Sequence, residues 1–143
     1  MFSNSSKYAI KAVLFLSVNS SEDNRIRVKD MAEPINVPQA YLAKLLQELS
    51  REDIISSKKG SKGGFFLSEE NANHTLMDIV NVIDGDDKFN SCLLSLEKCN
   101  SNKPCPLHDI ASPSRSKFIQ SLNQNTIKNF SLQIEQGKVF LPL

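Results

Sequence analysis

Residues 28–67 read VKDMAEPINVPQAYLAKLLQELSREDIISSKKGSKGGFFL, and this stretch decides the fold. Val28 to Glu33 has helical spacing, with Met31 and Ala32 inward. Pro34 is expected to end that helix, because proline disfavours helical geometry in the residue before it. Ile35-Asn36-Val37 follows as a turn in which Asn36 tolerates a left-handed backbone. Pro38 opens a second helix, where a missing N–H costs nothing. Tyr41, Leu42, Leu45, Leu46 and Leu49 are spaced for one buried face through about Arg51. Gln39, Ala40, Ala43, Lys44, Gln47 and Glu48 occupy the other face. Two helices joined by a short turn make a helix-turn-helix candidate.

Ile54 to Lys58 then reads as a strand, Lys59 to Gly64 as a turn carrying Gly60, Gly63 and Gly64, and Phe65-Phe66-Leu67 as the returning strand. This hairpin falls where a winged helix places its wing. Residues 57–67 hold Lys58, Lys59 and Lys62 and no acid. Lysines on a glycine-rich loop reach phosphates or a minor groove, because glycine lets the backbone come close. A helix whose open side begins with Gln39, Ala40 and Lys44 suits a major groove, where Gln bonds an adenine edge and Lys donates to guanine. The plainer reading is a set of solvated charges on a small α+β domain. The order of helix, short helix, turn, helix and basic hairpin favours DNA binding, with an interaction module as the rival use of the same fold.

Working outward, Tyr8, Ala12, Phe15 and Leu16 mark a first helix that Ser5 or Ser6 can cap. Residues 19–25 form a polar loop. Thr75 caps a further helix, Asp78 completes a variant capping box, Leu76, Ile79, Val80 and Ile83 line its inner face, and Gly85 ends it. Ser112-Pro113 is expected to begin a last long helix. Its thin apolar edge of Phe118, Ile119, Leu122 and Ile127 suggests packing on a partner chain. The expected fold is mainly α with a small β-wing, an α+β arrangement. Residues 1–85 form a winged helix-turn-helix, 86–108 a cysteine-containing loop, 109–130 a dimerisation helix, and 131–143 a short tail with no assigned role.

The chain of 143 residues corresponds to about one domain. With 40% apolar and 23% charged residues it is globular in composition. A net charge of +1 excludes a uniformly basic coat and leaves room for a local basic patch. Lys7 and Lys11 interrupt the N-terminal apolar stretch, so a signal peptide is not expected, and no run approaches the ~18 apolar residues of a membrane span. A soluble cytoplasmic protein with no membrane association is expected. No Ser-His-Asp or paired-carboxylate constellation supports an enzyme.

The cysteines are clustered as Cys92-x6-Cys99-x5-Cys105-x2-His108. Three thiolates and an imidazole make four soft ligands, enough for an iron–sulfur cluster or a closed zinc site. Structural zinc sites usually show two tight ligand pairs, and only Cys105 and His108 are that close here. Free redox thiols are the third reading. Leu93, Leu94 and Leu96 are candidates to shield a bound centre from water. His74 has no such neighbours and reads as a loop residue.

These residues together resemble the Rrf-type winged-helix transcription regulators, whose members include the iron–sulfur regulator IscR and the nitric-oxide sensor NsrR. The resemblance covers roughly residues 1–130. It rests on Lys7-Tyr8-Ala9-Ile10-Lys11-Ala12, on Val37-Pro38-Gln39-Ala40-Tyr41-Leu42, on Gly60-Ser61-Lys62-Gly63-Gly64-Phe65-Phe66-Leu67, and on the cysteines running into Pro106-Leu107-His108. It implies DNA contacts by Gln39, Ala40, Tyr41, Lys44, Lys58, Lys59, Gly60 and Lys62 on an imperfect palindrome of double-stranded DNA. It implies a homodimer joined by the helix from about Pro113 to Phe130. It also implies an iron–sulfur cluster, 2Fe–2S in preference to 4Fe–4S, ligated by Cys92, Cys99, Cys105 and His108. Some relatives take the fourth ligand from the partner's first helix, where this chain has Ser6, Lys7 and Lys11, which do not suit iron. The chain departs from the common pattern in a longer first cysteine gap, in Asn36 for glycine and in Lys59 for arginine.

Overall fold

The computed structural model describes residues 2–143. Its first helix, α1 (Asn4–Asn19), runs through the centre of the core, with Ala9, Ala12, Val13 and Leu16 fully enclosed. It begins earlier than Ser5 or Ser6. Ser3 is the cap, its hydroxyl accepting from the Ser6 N–H at 3.0 Å. Ser6, buried inside the first turn, instead donates to Asp84 at 2.7 Å, and Ser3 donates to the other oxygen of that carboxylate at 2.6 Å.

The second helix, α2 (Val28–Ile35), passes through Pro34 instead of stopping before it. Proline there forgoes one hydrogen bond near the helix end, a loss the last turn absorbs. The stop comes from Asn36, left-handed at φ 57°, whose N–H reaches the Ala32 and Glu33 carbonyls. Val37 follows, donating to Ala32 at 3.1 Å, and Pro38 precedes α3 (Gln39–Arg51) as expected. Leu42, Leu46 and Leu49 of α3 meet Met31 and Ile35 of α2 in the core beside α1.

The wing is a two-stranded antiparallel sheet of β1 (Ser56–Lys58) and β2 (Gly64–Phe66), with Ser56 opposite Phe66 and Lys58 opposite Gly64. Ile54 and Ile55 are not part of β1. They are buried under the wing after a left-handed Asp53, so core packing, not strand pairing, claims them. Ile26 adds a bridge on the free side of β2, exchanging N–H···O bonds with Phe65 at 2.8 and 2.9 Å. A short 3₁₀ turn (Asn71–Asn73) leads to α4 (Leu76–Asp84), whose Thr75–Asp78 capping box is complete and which ends at Gly85 with φ 87°.

The C-terminal third differs from the expected single helix. Here α5 (His108–Gln124) begins four residues before Ser112, because the Ala111 N–H already reaches Leu107 at 3.0 Å. Pro113 lies within it. The segment 109–130 is not continuous. It breaks at Asn125, and α6 (Ile127–Glu135) starts afresh under a Thr126 cap that accepts from Asn129 at 3.2 Å. The break is held by a Thr75–Thr126 bridge and by the Ile127 N–H on the His74 carbonyl at 2.9 Å. Helix α6 therefore folds back along α1, and Leu122 and Ile127 are buried in this chain's own core. Among the described residues no helix is long and apolar enough to cross a membrane.

Candidate functional site

Helix α3 presents Gln39, Ala40 and Lys44 to solvent, on the side that carries Gln47 and Arg51 further along. Tyr41, next along after Ala40, also faces the first helix. It is half-buried, its hydroxyl lies 2.5 Å from Ser5 Oγ, and its ring meets the ring of Tyr8 edge-on at 6.0 Å. Its place is the joint between α3 and α1.

Lys58, Lys59, Gly60 and Lys62 are all exposed on the wing. Lys58 is paired with Glu22 at 3.0 Å, and the hydrogen bond and charge of Lys58 hold the Glu22 carboxyl below the usual range. Lys59 and Lys62 have no carboxylate within ion-pair distance among the described residues. Gly60 adopts φ 107° in the turn and its carbonyl accepts from Gly63 at 3.0 Å. A Cβ at Gly63 would fall 2.5 Å from the Lys58 carbonyl oxygen, so the turn closes only around glycine.

Two arginines outside the expected set brace this wing. Arg25 Nη1 donates to the Lys62 carbonyl at 3.1 Å, and Arg27 Nη2 donates to the Ser61 carbonyl. They fix the tip and add positive charge beside it. The signal was the alternation Arg25-Ile26-Arg27, the period of a strand with Ile26 inward. At the wing's foot, buried Asn71 accepts from Ser56 Oγ and from the N–H and hydroxyl of Ser68, and donates to the Asp53 carbonyl, all at 2.8 to 2.9 Å. His74 also reaches that carbonyl, at 3.1 Å, and its other ring nitrogen lies 3.4 Å from Asp78. It sits just before α4 but is braced.

The sulfur-bearing loop folds as a narrow hairpin. Cys92 N–H bonds to the Glu97 carbonyl at 2.9 Å, Cys99 N–H to the Asn90 carbonyl at 2.8 Å, and Ser91 pairs with Lys98. Lys98 in turn holds Asp87 at 3.0 Å. Cys99 Sγ then lies 3.0 Å from Nδ1 of His108, the first residue of α5. Cys92 accepts from the Leu94 N–H at 3.5 Å; this contact, with Cys105 nearby, lowers its thiol pKa against the opposing effect of burial. All three thiols are free and half-buried.

Of the four sequence-selected donors, Cys99 and His108 are thus brought into contact, and Cys105 is a neighbour of Cys92 that lowers its pKa. Among the described residues no three His, Cys, Asp or Glu side chains converge as a metal-holding group. In kind, the donor set suits a soft metal centre: thiols and an imidazole, none of them paired with a carboxylate. Leu93, Leu94 and Leu96 do not shield it. They form the hairpin tip and are 60%, 62% and 105% exposed. The loop is anchored instead by Phe89, whose ring packs edge-on against Phe2 and Phe118, joining the loop to the N-terminus and to α5.

A family model described as Rrf2, iron-dependent transcriptional regulators, matches residues 2–131. An HTH-type transcriptional regulator of Aquifex aeolicus (strain VF5) is 31% identical over 98% of this chain and 96% of its own. Among solved structures, CymR, the global cysteine regulator of B. subtilis, superposes with a TM-score of 0.74 at 20% identity, over 92% of this chain and 95% of that one. The T. potens IscR structure gives 0.71 at 18%, over 98% and 92%. These likenesses establish the fold, a winged helix-turn-helix with further helices, and the relatives whose names state a role are regulators and not enzymes.

Proposed function

This chain belongs to the Rrf2 family of transcriptional regulators, and we propose that it is a cytoplasmic homodimer that binds an imperfect palindrome in double-stranded DNA and adjusts its affinity through an iron–sulfur cluster held by Cys92, Cys99, Cys105 and His108. Gln39, Ala40 and Lys44 read base edges from the major groove, while Lys59, Gly60 and Lys62 meet the backbone. Arg25 and Arg27 hold the wing in place for that contact.

The observation that carries the reading is the 3.0 Å contact between Cys99 and His108 at the first residue of α5. A bound cluster supplies one-electron redox chemistry and a centre open to oxidant, nitric oxide or loss of iron. The chain's own residues transmit the change. Any demand on the His108 ring is felt at the start of α5. That helix packs on α4, and α4 packs on both α1 and α3. The loop state therefore biases the placement of the reading helix, a population shift between tighter and weaker binding forms. A ~100-fold change in affinity requires about 2.7 kcal/mol between the two forms.

A second reading has its own support. The Leu94 N–H and the neighbouring Cys105 lower the pKa of the Cys92 thiol, so it ionises more readily than an ordinary cysteine. Two-electron oxidation by a peroxide would join the Cys92 and Cys105 sulfurs without any metal: the O–O bond breaks as the S–S bond forms, and the two thiol hydrogens leave with the peroxide oxygens as water or an alcohol.

Anaerobic purification followed by visible spectroscopy and iron and sulfide analysis separates the readings. A coloured protein containing iron and sulfide, whose DNA affinity changes when the cluster is removed, is the expected result. A colourless, iron-free protein whose affinity follows reversible thiol oxidation supports the second reading. Stoichiometric zinc in a colourless protein overturns both.

A further inference from the structure

The break at Asn125 does more than turn α6 back along α1. Three consecutive residues at the joint are tied to the three that open α4. The Asn125 carbonyl accepts from the Leu76 N–H at 3.3 Å, Thr126 bridges Thr75, and the Ile127 N–H donates to the His74 carbonyl at 2.9 Å. Ile127 is fully enclosed, so close packing leaves the joint little slack on its inner side. A shift at the end of α5 is therefore passed to the backbone of residues 74–76.

The ring of His74 reaches a different part of the molecule. With its proton on Nε2 it donates to the Asp53 carbonyl at 3.1 Å. Its Nδ1 lies 3.4 Å from Asp78, a carboxylate fixed in turn by the Thr75 N–H at 2.8 Å. Asp53 is the hinge between α3 and the wing, two residues past Arg51 and three before Ser56. Its backbone is left-handed at φ 58°, a conformation that a residue other than glycine keeps only where its surroundings hold it. The Asp53 carbonyl accepts a second bond from Asn71 Nδ2 at 2.9 Å, and Asn71 also receives the Ser56 hydroxyl at the start of β1. Asn71 is itself seated on His74, whose N–H donates to the Asn71 carbonyl at 3.1 Å. Both donors on the hinge carbonyl thus lead back to one residue. We infer that His74 is a positioning residue for the wing: its backbone is held by the α5–α6 joint, its ring holds the α3–β1 hinge, and a movement of α5 is passed through it to Lys59 and Lys62. The inference rests on the DNA contact proposed for the wing and not on the chemistry of the sulfur site.

His74→Ala in the full-length protein is expected to weaken binding to an operator fragment about three- to tenfold, the scale of one lost hydrogen bond. The salt dependence should become shallower by up to about one unit as the wing lysines leave a phosphate. His74→Gln, whose amide nitrogen stands where Nε2 stood, is expected to restore both. His74→Asn, whose amide stands where Nδ1 stood, is not. Thr126→Ala removes the cap of α6 at the joint. It is expected to weaken binding in the native chain and to add nothing in the His74→Ala chain, the non-additivity of coupled sites. Hydrogen exchange of the free protein reads the same coupling without DNA. Residues 53–58 are expected to exchange faster in His74→Ala and in Thr126→Ala, and no faster in the double variant than in His74→Ala, while the α1 amides stay unchanged. The inference is overturned by native exchange at residues 53–58 in His74→Ala, by an unchanged salt slope, by rescue with asparagine as full as with glutamine, or by effects of the two substitutions that simply multiply. Exchange as expected in a protein that binds no fragment would sink the proposed DNA contact and leave the coupling standing.

Discussion

Glu22 Oε1 lies 3.0 Å from Lys58 Nζ, joining the loop after the first helix to the first strand of the wing. Both side chains are open to solvent, so the pair contributes little to stability. Its consequence is electrostatic. It leaves the wing with two lysines free to meet phosphate where the sequence counts three.

Glu22→Gln is therefore expected to tighten DNA binding and to steepen the dependence of log affinity on log salt by up to about one unit, since one more cation then displaces condensed counterions. In the native chain, Lys62→Ala should cost more affinity than Lys58→Ala. Fluorescence anisotropy with an operator fragment across a salt series checks both. Equal losses from the two lysine variants would show that the pair opens freely on DNA.

Arg27 acts through shape more than charge. Its guanidinium donates to the Ser61 carbonyl at the wing tip, and a lysine in its place lacks the planar fork that makes this contact directional. Arg27→Lys is expected to keep the salt slope and lose affinity. Arg27→Ala should lose both, with thermal stability changed by less than about 1 kcal/mol because the site is exposed. Parallel anisotropy and thermal unfolding experiments distinguish this from general destabilisation.

What was legible in the sequence follows from where local rules govern. Asn36, Pro38, Thr75, Asp78 and Gly85 act within a turn of themselves, and each does in the structure what its chemistry dictates. Pro34 and Pro113 misled for a common reason. Proline's penalty is one forgone bond and a local clash, and packing overrides it: Ile35 is buried beyond one, and Leu122 beyond the other. The break at Asn125 is a tertiary event, made by a bridge to Thr75 fifty residues away in sequence, and nothing between Phe118 and Phe130 announces it. The clustering of the sulfur donors is visible in the sequence, but which of them meet is not: the Cys99–His108 contact depends on a hairpin register fixed by Ser91 and Lys98. Tyr41 showed its inward spacing in the sequence, and the structure follows that spacing.

Asp84 ties the end of α4 to the start of α1. Burial raises its carboxyl pKa, but hydrogen bonds from Ser3 and Ser6, with the charge of Lys88 at 4.0 Å, outweigh that and leave it lowered. A carboxyl whose folded pKa lies below its unfolded value adds stability that is fully present above the unfolded value of about 3.9 and is lost as pH falls through the folded value. Asp84→Asn is expected to cost about 1–2 kcal/mol at neutral pH, the scale of its charge-assisted hydrogen bonds. The difference from the native chain should stay constant between pH 6 and 8 and close below about pH 4. Urea unfolding at several pH values measures it. A gap that persists in acid would mean that packing, not charge, accounts for the loss.

His108 is where the proposed cluster and the fold share a residue. Its ring contacts Cys99 and its backbone N–H bonds to the Cys105 carbonyl at 3.0 Å, so a change of side chain leaves the start of α5 in place. Replacing the imidazole with a thiolate makes the ligand set one unit more negative, which lowers the reduction potential of a bound cluster. His108→Cys is therefore expected to yield a protein whose visible absorbance decays more slowly in air than that of the native chain. His108→Ala should lose iron fastest of the three, since the fourth ligand then has to come from solvent. Decay of absorbance after exposure to air, with iron content followed in parallel, gives the ranking. Equal decay in all three would place the fourth ligand elsewhere while leaving the three cysteines as candidates.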